Sequence, residues 1–258
     1  MCYGLFIKRI VPTPDIRKYK KFLFIAAHAG DVAKAAGGTV NKLAKAGKEI
    51  KILITTDSIS ECPKNADYNE YTERRRKEEL ASAAVLGVKE VEFLSFRDGE
   101  TGEEKTEAMA KDIAAIIRKF QPDAVFADDV STPNELMPGD RITTNAVVKA
   151  ILSAKNAFES EKTGERKFNV KALALYNTVR PNAYIGVSGA LEAKLHAVMM
   201  HNSLLPKKNE DKFAYMRAYK NLITLSALRN GLKCGKIFAE GFYAIGGKAM
   251  HNMPEINF

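Results

Sequence analysis

The chain has 258 residues and a net charge of +9, long enough to bury a full core as one α/β domain. Its three cysteines, Cys2, Cys62 and Cys234, lie far apart, which excludes a disulfide framework and a paired-cysteine zinc site and fits a reducing cytoplasm. Lys8, Arg9 and Pro12 interrupt the N-terminal stretch before an export signal develops, and no apolar run nears the ~20 residues of a membrane span. The positive residues are scattered among acidic ones, which argues against nucleic acid as a partner.

Residues 1–18 form an N-terminal extension. The six consecutive apolar residues Phe22–Ala27 predict a parallel strand covered on both faces. His28, Gly30 and Asp31 then fall on a sharp turn at the strand's C-terminal end, where open α/β sheets bind ligands. A His and an Asp three apart there offer a nitrogen and an oxygen donor to one divalent ion. Equally, Gly30 supplies a turn angle and Asp31 caps the following helix. That helix is expected over Val32–Ala46, with Gly37-Gly38 marking close approach of its backbone to the sheet or a ligand.

Ile50–Thr56 predicts a second strand that delivers Asp57 and Ser58 to the same edge, and Tyr71–Leu86 a helix. Within it, Arg74–Lys77 followed by Glu78 and Glu79 has the form of a solvated, ion-paired face. Glu90–Leu94 is a third strand, Arg97-Asp98-Gly99 a turn, and Glu104–Phe120 a helix with one apolar stripe. The fourth strand, Ala124–Ala127, ends in Asp128-Asp129. An aperiodic loop, Val130–Arg141, carries Glu135 and Asp140 ahead of a helix from about Ile142 to Phe158. A charged linker Glu159–Asn169, a strand Ala172–Tyr176, an extended piece Tyr184–Val187, helices Leu191–His201 and Lys212–Asn230, a strand Phe238–Tyr243 and a tail 245–258 complete the chain. His196 and His201 fit packed core histidines. The alternation predicts a single α/β domain, 1–258, with a mostly parallel, Rossmann-like sheet flanked by helices.

Taken in order, these residues resemble the LmbE-like or PIG-L-like metal-dependent N-deacetylases. Ala27-His28-Ala29-Gly30-Asp31 with Gly37-Gly38-Thr39 stands in the frame of the family's A-H-P-D-D-E followed by Gly-Gly-Thr. Arg75 and Glu78 before Leu86-Gly87, Phe93–Gly99, Pro122–Phe126, Lys194 through His201-Asn202-Ser203, and Ala239-Glu240-Gly241-Phe242 match further family segments.

The resemblance implies a zinc or manganese site held by His28, Asp31 and Asp140, the last standing where the family's H-P-D-H motif has its final His. It also implies a small sugar-like or carboxylate ligand met by Arg75, Asp57 and Asp98, and assembly into a homo-oligomer. The chain departs from the family where the chemistry is done. Gly30 replaces the Asp that acts as base on the attacking water, and Met137 replaces a proton-bearing His. Losing one such group typically costs 10²–10⁴-fold, so weak or absent standard deacetylase activity is expected unless Asp128, Asp129 or Glu135 substitutes. Three functions remain open: a hydrolase of an N-acetylated amino-sugar conjugate, a non-catalytic binding protein, and a hydratase of an unsaturated keto acid. The last is suggested by A-H-A-x-D, a variant found in a hydratase-like subgroup and matched by Ala27–Asp31.

Overall fold

The computed structural model describes residues 12–133, 135–206, 208–247 and 250. In chain order the elements are β1 (Lys21–Ala26), α1 (Asp31–Lys45), β2 (Glu49–Thr56), α2 (Tyr68–Leu86), β3 (Glu90–Phe96), α3 (Glu103–Phe120), β4 (Ala124–Asp128), α4 (Pro138–Ala154), α5 (Ala157–Thr163), β5 (Ala172–Tyr176), β6 (Ala183–Gly186), α6 (Leu191–Met199), α7 (Asn209–Lys233) and β7 (Ala239–Gly246). Short 3-10 turns lie at Ile16–Lys18, Ile59–Glu61 and Asn202–Leu204. The strands form a mostly parallel mixed sheet of seven, flanked by helices, in the order β3-β2-β1-β4-β5-β7-β6. The order reverses between β1 and β4, the switch point beside which doubly wound sheets place their ligands.

The chain divides into two compact units, one of residues to Ile25, Glu100–Ala183 and from Gly241, the other of Ala26–Gly99 and Tyr184–Glu240. In the first, β1 runs parallel to β4 with Phe22 beside Ala124, β4 parallel to β5, and β5 antiparallel to β7. Phe24 stacks on Phe126 at 4.3 Å, and Phe126 meets Phe242 edge-on at 5.2 Å, so three strands share one aromatic core. In the second, β2 pairs in parallel with β3. There the Thr56 amide and hydroxyl both bond the Ala27 carbonyl, fixing the chain just before His28.

Three segments differ from the sequence expectation. Helix α4 begins at Pro138 rather than near Ile142, because proline at the first helical position has a preset φ and no amide to satisfy, and Glu135 Oε1 takes the Met137 amide at 3.0 Å. Asp140 therefore lies on a helical turn, not in a loop. The same helix stops at Ala154, where Asn156 caps the separate helix α5 through the Phe158 amide. Ile245 and Gly246, expected in the tail 245–258, instead belong to β7 and pair with β5, while of the extension 1–18 and the tail, residues 1–11, 248–249 and 251–258, with His251, lie outside the described residues.

Candidate active site

The turn after β1 presents His28 between two carboxylates. Its Nδ1 is 3.2 Å from Asp31 Oδ2 and its Nε2 is 3.0 Å from Asp98 Oδ2. Asp98 is itself fixed: Ser60 Oγ donates to it, and its amide donates to Asp57 Oδ1 at 2.9 Å. Asp57 also accepts the Ile59 amide and, at 2.5 Å, the Tyr68 hydroxyl. Burial alone would raise the Asp98 carboxyl, but the His28 hydrogen bond and charge, with Ser60, outweigh it and bring it down to about 2. Asp31 is likewise held well below the usual carboxylate range, against burial, by His28 and Lys34.

A neutral imidazole carries one N–H, so it can donate to only one of these carboxylates. If Nε2–H serves Asp98, the Nδ1 lone pair faces the Asp31 oxygen, and only a cation between them, a proton or a metal ion, makes that approach favourable. An imidazole oriented by a carboxylate on its far nitrogen is the usual metal-ligand arrangement, and the donor set fits a divalent ion. Asp57 and Asp98, expected as substrate contacts, are buried: Asp98 faces His28 Nε2, and Asp57 accepts the Asp98 amide.

Gly30 adopts φ +101°, and its amide donates to Glu79 Oε2 at 2.7 Å. A Cβ added there would lie 3.3 Å from the His201 ring. His201 Nε2 is 3.5 Å from the same Glu79 oxygen, and its Nδ1 lies 3.4 Å from Arg75 Nη1. Arg75 also binds Glu61 at 2.8 Å, Glu78 at 3.4 Å and the Ala29 carbonyl, while Glu78 accepts the Ser203 amide and hydroxyl. Arg75 is thus fully buried among ion-pair partners, and with the buried Glu79 it corrects the reading of this run as a solvated face. Burial pushes the Glu79 carboxyl up to about 7, and burial, with Arg75 and Lys34 nearby, pulls His201 down to about 3. Glu79 was not singled out from sequence; its spacing from Tyr71, Arg75, Ser82 and Leu86 on one helix stripe is the signal that finds it. Of the two histidines expected in the core, His201 is buried and His196 is exposed.

Behind this turn, a buried carboxylate reaches the middle of α1. Glu240 accepts the Gly38 and Thr39 amides at 3.1 and 2.7 Å, and Lys194 Nζ bridges Glu240 at 2.6 Å and the Ala35 carbonyl at 3.2 Å. A Cβ on Gly37 would meet Lys194 at 3.0 Å, and one on Gly38 would meet Glu240 at 3.0 Å and Val187 at 3.1 Å, the close approach that the glycine pair predicted.

The remaining candidates lie in the other unit. Asp140 is buried in the first turn of α4 and Met137 is its exposed N-cap. Asp128 Oδ2 accepts from Asn177 at 2.8 Å, Asp129 Oδ1 accepts the Ser131 amide and hydroxyl, and Glu135 caps α4. Asp129 and Glu135 thus hold the loop's shape.

Residues 23–151 match the family model PIG-L, GlcNAc-PI de-N-acetylase. The chain is 33% identical to a diacetylchitobiose deacetylase of Thermococcus kodakarensis over 239 residues, 91% of this chain and 86% of that one. It superposes with a TM-score of 0.85 and 28% identity on the N,N'-diacetylchitobiose deacetylase of Pyrococcus horikoshii, covering 98% and 95% of the two chains. A 4-carboxy-2-hydroxymuconate hydratase from Pseudomonas putida shares the fold at a TM-score of 0.71 and 18% identity, covering 87% of this chain and 95% of that one. With its histidine turn and its fourth strand inside the matched residues, the chain belongs to the PIG-L de-N-acetylase family.

Proposed function

We propose that this chain is a divalent-metal-dependent protein for N-acetylated amino-sugar conjugates, in which the family's usual route to amide hydrolysis is slow. Its similarity to diacetylchitobiose deacetylases supports the ligand class. His28 and Asp31, with Asp140 from the family motif, would hold the ion, which supplies Lewis-acid polarisation of an amide carbonyl. Asp98 orients the His28 ring, and Asp57 with Ser60 fixes Asp98.

The observation that carries the reading is at Gly30. The position that bears the base in the family has no side chain, a left-handed backbone, and the His201 ring 3.3 Å from where a Cβ would lie. Nothing at Gly30 can take a proton from water, and the Met137 thioether has none to give. The test is metal analysis of protein purified without chelator, together with acetate release from N,N'-diacetylchitobiose. About one divalent ion per chain, lost in His28→Ala, with turnover ~10²–10⁴-fold below that of a family member retaining its base, is the expected result. Robust turnover abolished by chelator would overturn the slow-route assignment. The A-H-A-G-D turn favours a second reading, a hydratase, which would add or remove water on unsaturated keto acids and leave the sugar untouched.

A further inference from the structure

Asp31 opens helix α1, and Lys34 stands one turn further on, its amide donating to the Gly30 carbonyl at 3.0 Å. That turn brings Lys34 Nζ to 3.3 Å from Asp31 Oδ1. The second oxygen, Asp31 Oδ2, accepts the His28 amide at 3.2 Å and lies equally far from His28 Nδ1. The carboxylate is thus divided, one oxygen toward the histidine and one toward an ammonium. Glu61 is the other acidic group beside Lys34, and its Oε2 is already held by Arg75 at 2.8 Å. Ion pairs spaced three apart commonly do no more than steady a helix. Lys34 is misplaced for that purpose, because a cation in the first turn faces the positive end of the helix dipole. Its side chain and that of Asp31 are 36% and 18% exposed, so water and salt screen the pair incompletely.

We propose that Lys34 is the internal counter-cation of Asp31, and that it lowers the affinity of this carboxylate for a divalent ion and keeps the ion exchangeable. The inference rests on the reading of His28 and Asp31 as metal ligands. When no ion is held, the ammonium balances a carboxylate that faces an imidazole nitrogen, so the turn keeps its shape without metal. When an ion is held, two cations draw on one carboxylate. Their repulsion subtracts from binding, and the oxygen that Lys34 occupies is withdrawn from the ion. Linkage makes the effect mutual: whatever Lys34 gains from Asp31 in the metal-free chain is what an ion must overcome. Lys34 acts through Asp31 and is a positioning residue.

Zn²⁺ titration of the full chain, first stripped with a chelator and then set in competition with a chelating dye, tests this. Lys34→Met should bind Zn²⁺ about 10–100-fold more tightly than the parent, and Lys34→Arg, which keeps the charge, should stay near the parent. In the stripped state Lys34→Met should unfold at a lower temperature than the parent, and Zn²⁺ should raise its Tm by more. Lys34→Gln repeats both measurements should the methionine variant fail to fold. If the parent binds Zn²⁺ and the uncharged variants bind it no more tightly, the proposal is overturned and Lys34 is a helix pair only, while the metal site stands. If neither parent nor variants bind Zn²⁺ at millimolar concentration, the metal-site reading fails and the proposal with it. Zn²⁺ held by Lys34→Met but not by the parent supports the proposal in its strongest form.

Discussion

Glu79 reaches across 49 positions to accept the amide hydrogen of Gly30 at 2.7 Å, and thereby holds a left-handed backbone at the turn where the family keeps a base. A Cβ at Gly30 would lie 3.3 Å from the His201 ring, so a side chain there meets both a strained backbone and a tight contact.

Gly30→Asp alone is therefore expected to restore no acetate release and to lower stability. Backbone strain at a positive φ costs about 1–3 kcal/mol, a fall of several degrees in Tm. His201→Ala in the same chain should recover part of the loss, a coupling that a double-mutant thermal-unfolding cycle measures. A Gly30→Asp variant as stable as the parent would show that the turn accepts a side chain.

The same two buried groups set opposing pH slopes. Glu79 is raised to about 7 from an ordinary 4.5, so the native state favours its protonated form. Its contribution is full below about 4.5 and is lost as pH climbs to about 7. His201 is lowered to about 3 from 6.5, so its contribution is full above about 6.5 and is lost as pH falls towards 3. Between about 4.5 and 6.5 the two cancel. Glu79→Gln leaves only the histidine slope, so the urea midpoint of the variant should rise with pH across that window relative to the parent. A variant that tracks the parent would refute the balance.

Asp98→Asn keeps the size of the residue beneath His28 but removes the charge that orients its ring. Metal affinity should fall ~10–100-fold, read by competition with a chelating dye, while the unfolding transition survives. An unchanged affinity would mean that Asp98 does not set the tautomer of His28.

Lys194 and Glu240 are both nearly inaccessible, and each satisfies the other. Removing one partner, as in Lys194→Met or Glu240→Ala, should cost about 3–5 kcal/mol in urea unfolding, because it leaves a charge buried alone. The double variant should cost less than the sum of the two, which measures the coupling.

The sheet was legible because its inner strands are continuous apolar runs: Phe22–Ala27 could hardly be anything else. The residues flanking His28 were legible as a motif, but their roles were not, since whether Asp98 faces a ligand or a neighbouring imidazole depends on where β3 ends beside the turn. Arg75 and Glu79 were misread for a related reason. Charged residues i and i+4 on a helix look solvated until a third element covers that stripe, here the segment carrying His201 and Ser203. The start of α4 was missed because Pro138 and Gly139 look like loop residues, although proline is at home in the first turn.

The amides of Gly38 and Thr39 lie in the middle of α1 yet answer to a carboxylate about 200 positions away in sequence. In ordinary helices such protons exchange with deuterated solvent as the ends fray or the helix unwinds. Here their exchange is expected to wait on the departure of Glu240. The two protons form a built-in isotopic clock for the closing of the chain around its own first helix, running at a rate that Lys194→Met would quicken and that fraying at Asp31 or Lys45 would leave untouched.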